Sequence, residues 1–297
     1  MPEYKPTLEF HPQAKEVKKA LKDAADTRAK KYSSLYQELK IDTKESIAPR
    51  PFIYCLPTGN TDFDNGIDYA TPNKSGGYPV NGGGFPVGKI TVIHGRSGVG
   101  KSQFVYNLCC NAPFRTLYID TEGGIIDVMA DNCIVYCTYI VEDCWQMVTK
   151  AISSGHFNCV VIDSLTNLKT REDIQKDDGD MPRMGQKAQV IGQFLSKLVA
   201  MLMTHDVAVV IVSQERESFD LFKKDPVLPG GAAIMYEVEL ILGLYSNKAD
   251  IIKDKETGLK IGQKTKVKLR KNRLGPDGCE FVCKLMFAKP QELGDKL

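Results

Sequence analysis

Long apolar runs are missing from this chain of 297 residues. No stretch reaches the roughly 18 consecutive apolar residues that a membrane-spanning helix needs, so a membrane span is not supported. The first residues are charged and carry no apolar leader core, so no secretory signal is read. Charge of one sign is missing too. Lys and Arg number 39 against 37 Asp and Glu, a net charge of +2. That excludes a whole-chain attraction to polyanions, and any contact with nucleic acid has to come from local loops. The nine cysteines form no C-x-x-C pair, and their number is odd. Cys133/Cys137 and Cys279/Cys283 stand at even spacing in apolar, strand-like runs, each pair on one face of its strand. Core packing in a reducing compartment is the expectation for them, with metal binding as the alternative. Tryptophan occurs once, and Trp145 sits in a helical pattern where packing is expected. The remaining composition, 42% hydrophobic and 26% charged, is that of a soluble globular chain with one large domain and a small appendage.

Against these absences stands Gly95-Arg96-Ser97-Gly98-Val99-Gly100-Lys101-Ser102, which fits G-x-x-x-x-G-K-[ST] without mismatch. Lys89 to Ile93 before it reads as a short buried strand, and Gln103 to Leu108 after it reads as the start of a helix. That context makes the motif a nucleoside triphosphate site and not a glycine-rich turn that happens to hold a lysine. Backbone N–H groups from Gly95 to Gln103 would turn inward around phosphate at a helix N-terminus. Lys101 would reach the β- and γ-phosphates of ATP, and the Ser102 hydroxyl would bind Mg²⁺.

The rest of the chain reads in order. Residues 1–50 hold an extended arm, a helix from Pro12 to Leu39 with a thin apolar stripe, and a polar linker. Thr71 to Gly84 is a loop by composition, dense in Gly, Pro and Asn. Strands are expected at Arg115–Asp120, Cys133–Tyr139, Cys159–Asp163 and Val207–Gln214. Apolar strands separated by helical segments predict an α/β fold with a mostly parallel sheet and helices on both faces. Ligands on such sheets gather at the carboxyl ends of the strands, where the glycine-rich loop, Glu122 and Asp163 all fall. There Asp163 would help hold Mg²⁺, the alternative being a carboxylate that caps the next turn. Glu122 would activate the water that attacks the γ-phosphate. Gln214 could bond the γ-phosphate or that water, or be an ordinary strand-end glutamine.

Several ordered stretches carry a resemblance: Pro57-Thr58-Gly59 through Asp64, Tyr118-Ile119-Asp120-Thr121-Glu122-Gly123, Val161-Ile162-Asp163-Ser164-Leu165 followed by Met184-Gly185-Gln186, Ser213-Gln214 followed by Pro229-Gly230-Gly231, and Thr265 to Arg273. From about Cys55 to Phe287 the chain resembles the ATPase core of the RecA-family recombinases, of the bacterial RecA and T4-like phage UvsX type. Its glutamate strand is most similar to that of the eukaryotic and archaeal branch. The resemblance implies a RecA-like P-loop core (51–288) with a mostly parallel twisted sheet, an N-terminal helical oligomerisation segment and linker (1–50), and a short tail (289–297). The core ends close to the end of the chain, so the C-terminal domain of bacterial RecA is expected to be missing.

The resemblance also implies a DNA-dependent ATPase that forms filaments on single-stranded DNA and pairs that strand with homologous duplex. Glu122, Lys101 and Gln214 would serve hydrolysis in one subunit. Lys271 and Arg273, two apart and so on one face of a strand, would reach a neighbour's ATP in trans. Two loops would hold DNA through Arg171, Lys176, Arg183, Met184, Arg216, Phe219, Phe222, Lys223, Gly230 and Gly231. Their physics agrees, since cations along a backbone and apolar or aromatic faces against bases suit a single strand. Asp177, Asp178 and Asp180 favour the alternative of solvated loops. Tyr236 falls where the family has a subunit interface, although an aromatic at a helical site is usually core. Ala232 stands where the family has Asn after the Gly-Gly pair, and Gln189 and Ser196 where bacterial RecA has arginines. Expected partners are single-strand-binding or loader proteins, in the cytoplasm of a bacterial or phage-infected cell. Two other functions stay open, a mediator ATPase without strand exchange and a hexameric helicase-type motor.

Overall fold

The computed structural model describes residues 53–70, 80–124, 131–175, 186–215, 232–247 and 250–286. The expected N-terminal segment (1–50) and tail (289–297) lie outside the described residues. Elements follow in chain order: β1 (Ile53–Leu56), α1 (Thr61–Ala70), β2 (Val80–Asn81), β3 (Phe85–Pro86), β4 (Ile90–Gly95), α2 (Lys101–Cys110), β5 (Thr116–Asp120) and β6 (Cys133–Cys137). Then come α3 (Val141–Ser154), β7 (Cys159–Asp163), α4 (Arg171–Gln175), α5 (Gln186–Leu202), β8 (Ala208–Gln214), α6 (Ala232–Glu237), β9 (Leu240–Tyr245), β10 (Ile251–Lys253), β11 (Lys260–Asn272) and β12 (Glu280–Met286).

The main sheet runs β10-β11-β9-β4-β8-β7-β5-β6, with β12 also paired to β11. The six strands from β9 to β6 are parallel neighbours, and β10, β11 and β12 add an antiparallel flank. A smaller sheet, β2-β1-β3, lies beside it. The α/β core with a mostly parallel, helix-flanked sheet is thus the architecture of this chain.

The apolar runs read as strands are continuous because both faces of the sheet are covered. Side-chain alternation then divides each run between two cores. On β7, Cys159 and Val161 join the core built by Phe63 and Ile67 of α1 and by Phe104, Val105 and Leu108 of α2. Val160 and Ile162 join the opposite core, built by Val148 and Ile152 of α3 and by Ile191, Leu195 and Leu198 of α5. Strand β8 divides the same way, with Val210 and Val212 on one side and Val209 and Ile211 on the other. Trp145 packs edge-on against Phe194, ring centroids 5.1 Å apart, in the packing role its context predicts. Among the described residues no helix is long and apolar enough to cross a membrane.

One expectation about packing needs correction. Cys133 and Cys283 are buried and Cys279 packs on the core, but Cys137 is exposed. It ends β6, an outer strand of the sheet, and the pattern along that strand ends open to solvent. Of the two readings of Tyr236, the core one does not hold. The residue is 70% exposed on α6, whose buried contact is made by Ile234.

Candidate active site

Parallel strands in register end level with one another. Gly95 of β4 stands opposite Gln214 of β8, and Asp120 of β5 opposite Asp163 of β7. Every side chain read as catalytic from Gly95 to Gln214 therefore leaves the sheet at one edge. The glycine-rich loop crosses that edge from β4 to α2. Gly100 caps α2 with a left-handed backbone, φ +87, a conformation glycine adopts without steric cost. Lys101 is buried, and its Nζ donates to Gly95 O at 3.0 Å and Arg96 O at 2.9 Å. Burial lowers the pKa of its ammonium, while Asp163, Glu122 and Glu215 favour the charge. A cation held on two loop carbonyls is placed to exchange them for phosphate oxygens.

Asp163 is buried beside it. Tyr118 Oη donates to Asp163 Oδ2 at 2.5 Å, while Oδ1 is buried without a hydrogen-bond partner among the described residues. Burial pushes the carboxyl above its usual range, hydrogen bonds from Tyr118 and Ser102 pull it back, and Glu122 and Asp120 push it up again. An orphaned buried carboxylate oxygen beside the first serine of α2 is what a divalent cation or its bound water would satisfy. The residues present fit Mg²⁺ carried by a triphosphate.

Glu122 follows β5 on a tight turn, where Asp120 Oδ1 accepts the N–H groups of Glu122 and Gly123, both at 2.9 Å. Its side chain reaches across the edge. Oε1 accepts Asn167 Nδ2 at 2.7 Å, Ser164 Oγ at 3.2 Å and Gln214 Nε2 at 3.3 Å. So the structure brings Lys101, Glu122, Asp163 and Gln214 to one place.

The opposite side of the same strand end holds a second polar group. His94 Nδ1 lies 2.7 Å from Glu215 Oε1, and the Arg270 guanidinium lies 3.9 Å from that oxygen. Burial, with Arg270 and Lys101 nearby, holds the His94 imidazole down to about 4. The ring is therefore neutral near pH 7, and Glu215 takes its counter-charge from Arg270.

Lys271 and Arg273 behave differently from each other. Lys271 Nζ donates to Met235 O, and to Val238 O at 2.6 Å, closing carbonyls at the end of α6. Arg273 is exposed just after β11, which ends at Asn272, and its N–H still donates to Glu239 O at 3.1 Å. Of the expected DNA-contacting residues, Arg171 is exposed at the start of α4 and pairs with Asp143. Lys176, Arg183, Met184, Arg216, Phe219, Phe222, Lys223, Gly230 and Gly231 lie outside the described residues.

Sequence reasoning missed Tyr118, Ser164, Asn167 and the His94–Glu215–Arg270 group. Tyr118 had one usable signal, a hydroxyl inside an otherwise apolar strand, which has to find a buried partner. Ser164 and Arg270 lie in stretches that carry the resemblance but had no role read for them, and His94, Asn167 and Glu215 sit outside those stretches.

The sequence matches the family described as the RecA N-terminal domain over residues 73–291. It is 25% identical over 252 residues to Protein RecA of Thermus thermophilus, covering 81% of this chain and 69% of that protein. Protein RecA of Lactobacillus acidophilus is 26% identical over 287 residues, covering 93% of this chain and 73% of that protein. Protein RecA of Desulforapulum autotrophicum is 28% identical over 218 residues, covering 70% of this chain and 61% of that protein.

Proposed function

The chain belongs to the RecA family, and on that premise we propose that it is an ATP-dependent recombinase that assembles on single-stranded DNA. In this reading it pairs the bound strand with a homologous duplex and is released after hydrolysis. One observation carries it. Lys101, Glu122, Asp163 and Gln214 converge at one sheet edge, and Gln214 and Glu215 lead directly into residues 216–231. Nucleotide chemistry and the second candidate DNA loop thus share a strand end.

Bound Mg²⁺ would supply charge neutralisation on the β- and γ-phosphates. Lys101 exchanges the carbonyls of Gly95 and Arg96 for phosphate oxygens. Ser102 and Asp163 would hold the ion, a role the unpartnered Asp163 Oδ1 supports. Glu122 orients the attacking water and takes up its proton as the new bond to the γ-phosphorus forms and the bond to the β–γ bridging oxygen breaks, ADP leaving with that oxygen. Gln214 turns from Glu122 to the γ-phosphate and carries its presence into the following loop. Phosphoryl transfer needs mainly positioning and electrostatics, so this set is sufficient for slow hydrolysis. Arg273 is the better candidate to act on a neighbour's phosphate, because Lys271 is already engaged at α6. Arg171, Lys176, Arg183, Met184, Arg216, Phe219, Phe222, Lys223, Gly230 and Gly231 would contact DNA, with single-strand-binding or loader proteins assisting assembly. The finer reading is a recombinase of the bacterial RecA and T4-like phage UvsX type whose glutamate strand is like that of the eukaryotic and archaeal branch.

Electron microscopy with single-stranded DNA and a non-hydrolysable ATP analogue tests this directly. Helical filaments that Lys101→Ala cannot form, together with strand exchange by the unmodified chain alone, are expected. Closed rings, or no assembly, would overturn the filament reading. Filaments that never exchange strands would leave a mediator.

A further inference from the structure

Three donors crowd one oxygen of Glu122, and they are not equivalent. A carboxylate oxygen has about two good lone-pair directions, so a third donor bonds less well. Asn167 Nδ2 is the close one at 2.7 Å, while Ser164 Oγ and Gln214 Nε2 stand at 3.2 and 3.3 Å. Gln214 is the donor whose departure costs Glu122 least. Asn167 is the donor Glu122 depends on.

Asn167 is also the better anchored. It ends the turn that follows β7, and that turn is tied on both sides. Ser164 N–H donates to Thr121 Oγ1 at 2.8 Å, and Thr121 Oγ1 donates to Ser164 O at 2.9 Å, which joins the turn to the β5 end. Leu165 N–H donates to Val212 O at 3.1 Å, and Gln214 N–H donates to Thr166 Oγ1 at 3.3 Å, which joins it to β8. Leu165 and Leu168 are buried and fix it from below. Glu122, by contrast, is exposed and followed by Gly123 and Gly124, so its backbone does little to aim its side chain.

We propose that Asn167 is a positioning residue for hydrolysis: its amide holds Glu122 by Oε1, keeps Oε2 for the attacking water, and does so while Gln214 leaves for the γ-phosphate. Without Asn167, the same movement of Gln214 would leave Glu122 on the longer Ser164 Oγ contact alone at the moment it is needed. The division of labour is one close fixed donor, Asn167, and one mobile donor, Gln214, on the same oxygen, with Ser164 a weaker fixed contact. This inference rests on the reading of Glu122 as the water-orienting carboxylate.

The test uses the full chain with Asn167→Ala, Asn167→Asp, Asn167→Gln and Glu122→Gln. Asn167→Asp keeps the shape but offers no donor and adds a like charge, so it separates the hydrogen bond from packing. Hydrogen bonds to charged groups imply a fall in kcat of about tenfold or more in Asn167→Ala, with KM and ATP affinity held within about twofold. Asn167→Asp should fall at least as far, and Asn167→Gln, which keeps an amide donor, should recover part of the rate. A nucleotide-free crystal structure of Asn167→Ala should show Glu122 in more than one rotamer. Wild-type kcat in Asn167→Asp, or a single unmoved Glu122 rotamer in Asn167→Ala, would overturn the proposal. If Glu122→Gln hydrolyses ATP normally, the underlying reading of Glu122 fails. If Glu122→Gln is inactive while the Asn167 variants are normal, only the role of Asn167 fails.

Discussion

Glu122 and Gln214 touch although their strands are not neighbours. Strand β7 separates β5 from β8, yet Gln214 Nε2 approaches Glu122 Oε1 to 3.3 Å across its carboxyl end. The contact closes a bridge over Asp163, which stands at the end of the strand between them. Gln214 bonds the candidate base and, in the proposed function, the γ-phosphate as well. On that reading the pair would be a two-position element and not a static brace.

Gln214→Ala removes that element while sparing the phosphate cradle, which is built by other residues. ATP affinity is expected to stay within about threefold, since no cradle contact is lost. The coupling should disappear: single-stranded DNA should bind equally well with and without ATP analogue. Fluorescence anisotropy on a labelled oligonucleotide, with and without the analogue, reads this. A preserved ATP dependence would remove Gln214 from the coupling.

Asp163→Asn should stabilise the nucleotide-free protein. Burial is the largest cause of the raised Asp163 carboxyl, so the fold is strained by ionising it. A carboxyl raised in the fold binds more protons there than in the unfolded chain, across the window from its ordinary value up to its folded value. Stability from this group therefore falls as pH rises through that window and stays low above it. At pH 7 Asp163→Asn removes the strain, and its Tm should exceed that of the unmodified chain. The difference should shrink as pH falls into the window. With Mg²⁺ and ATP the order should reverse, because only Asp163 gains from the ion. Differential scanning calorimetry at several pH values checks both signs.

Lys271 and Arg273 should separate under substitution. Lys271 closes the carbonyls of Met235 and Val238, so Lys271→Ala leaves them open and should cost about 1–3 kcal/mol of stability. Arg273 is exposed, and Arg273→Ala should leave Tm and single-subunit ATP affinity unchanged while lowering DNA-stimulated hydrolysis. Mixing supplies the decisive measurement. Arg273→Ala subunits keep a complete phosphate cradle, and Lys101→Ala subunits keep Arg273. If Arg273 acts in trans, the two inactive proteins mixed on DNA should regain part of the activity. No recovery would leave Arg273 without a role at a neighbour's site.

The sequence showed the sheet well because burial on both faces writes itself as uninterrupted apolar runs, as in Val207–Val212 and Cys159–Ile162. It showed Lys101 through the G-x-x-x-x-G-K-[ST] motif, and Glu122 and Asp163 because they stand just past or at the end of such a run. It could not show the Glu122–Gln214 contact, which depends on strand order and not on the content of any strand. Asn167 was equally hidden, since a turn asparagine looks the same whether it bonds solvent or a candidate base. Lys271 misled for a similar reason. Alternation pairs it with Arg273 as a cation free for a neighbour's phosphate, but the α6 carbonyls offer a nearer partner. Cys137 is expected inside from residue type alone, which does not reveal that β6 is an outer strand.

Gly84 and Gly82 should respond differently to alanine, although both have left-handed backbones, φ +113 and +79. A Cβ on Gly84 would lie 1.9 Å from Leu56 O, whereas nothing lies within 4 Å of one on Gly82. Leu56 pairs with Phe85 in the small sheet, and the Phe85 ring packs on Phe63 with centroids 5.4 Å apart. Phe63 in turn meets Phe104 of α2, the helix that carries Lys101 at its start. Gly82→Ala should therefore cost only the backbone penalty of about 1–2 kcal/mol. Gly84→Ala adds an irreducible backbone collision and should cost about 3 kcal/mol or more. It should also weaken ATP binding by disturbing α2 through Phe85, Phe63 and Phe104. Urea unfolding with intrinsic fluorescence, paired with nucleotide titration, tests both halves. Equal losses in the two variants would show that φ alone governs this segment, and a large loss of stability with unchanged ATP affinity would show that the aromatic contacts do not transmit it.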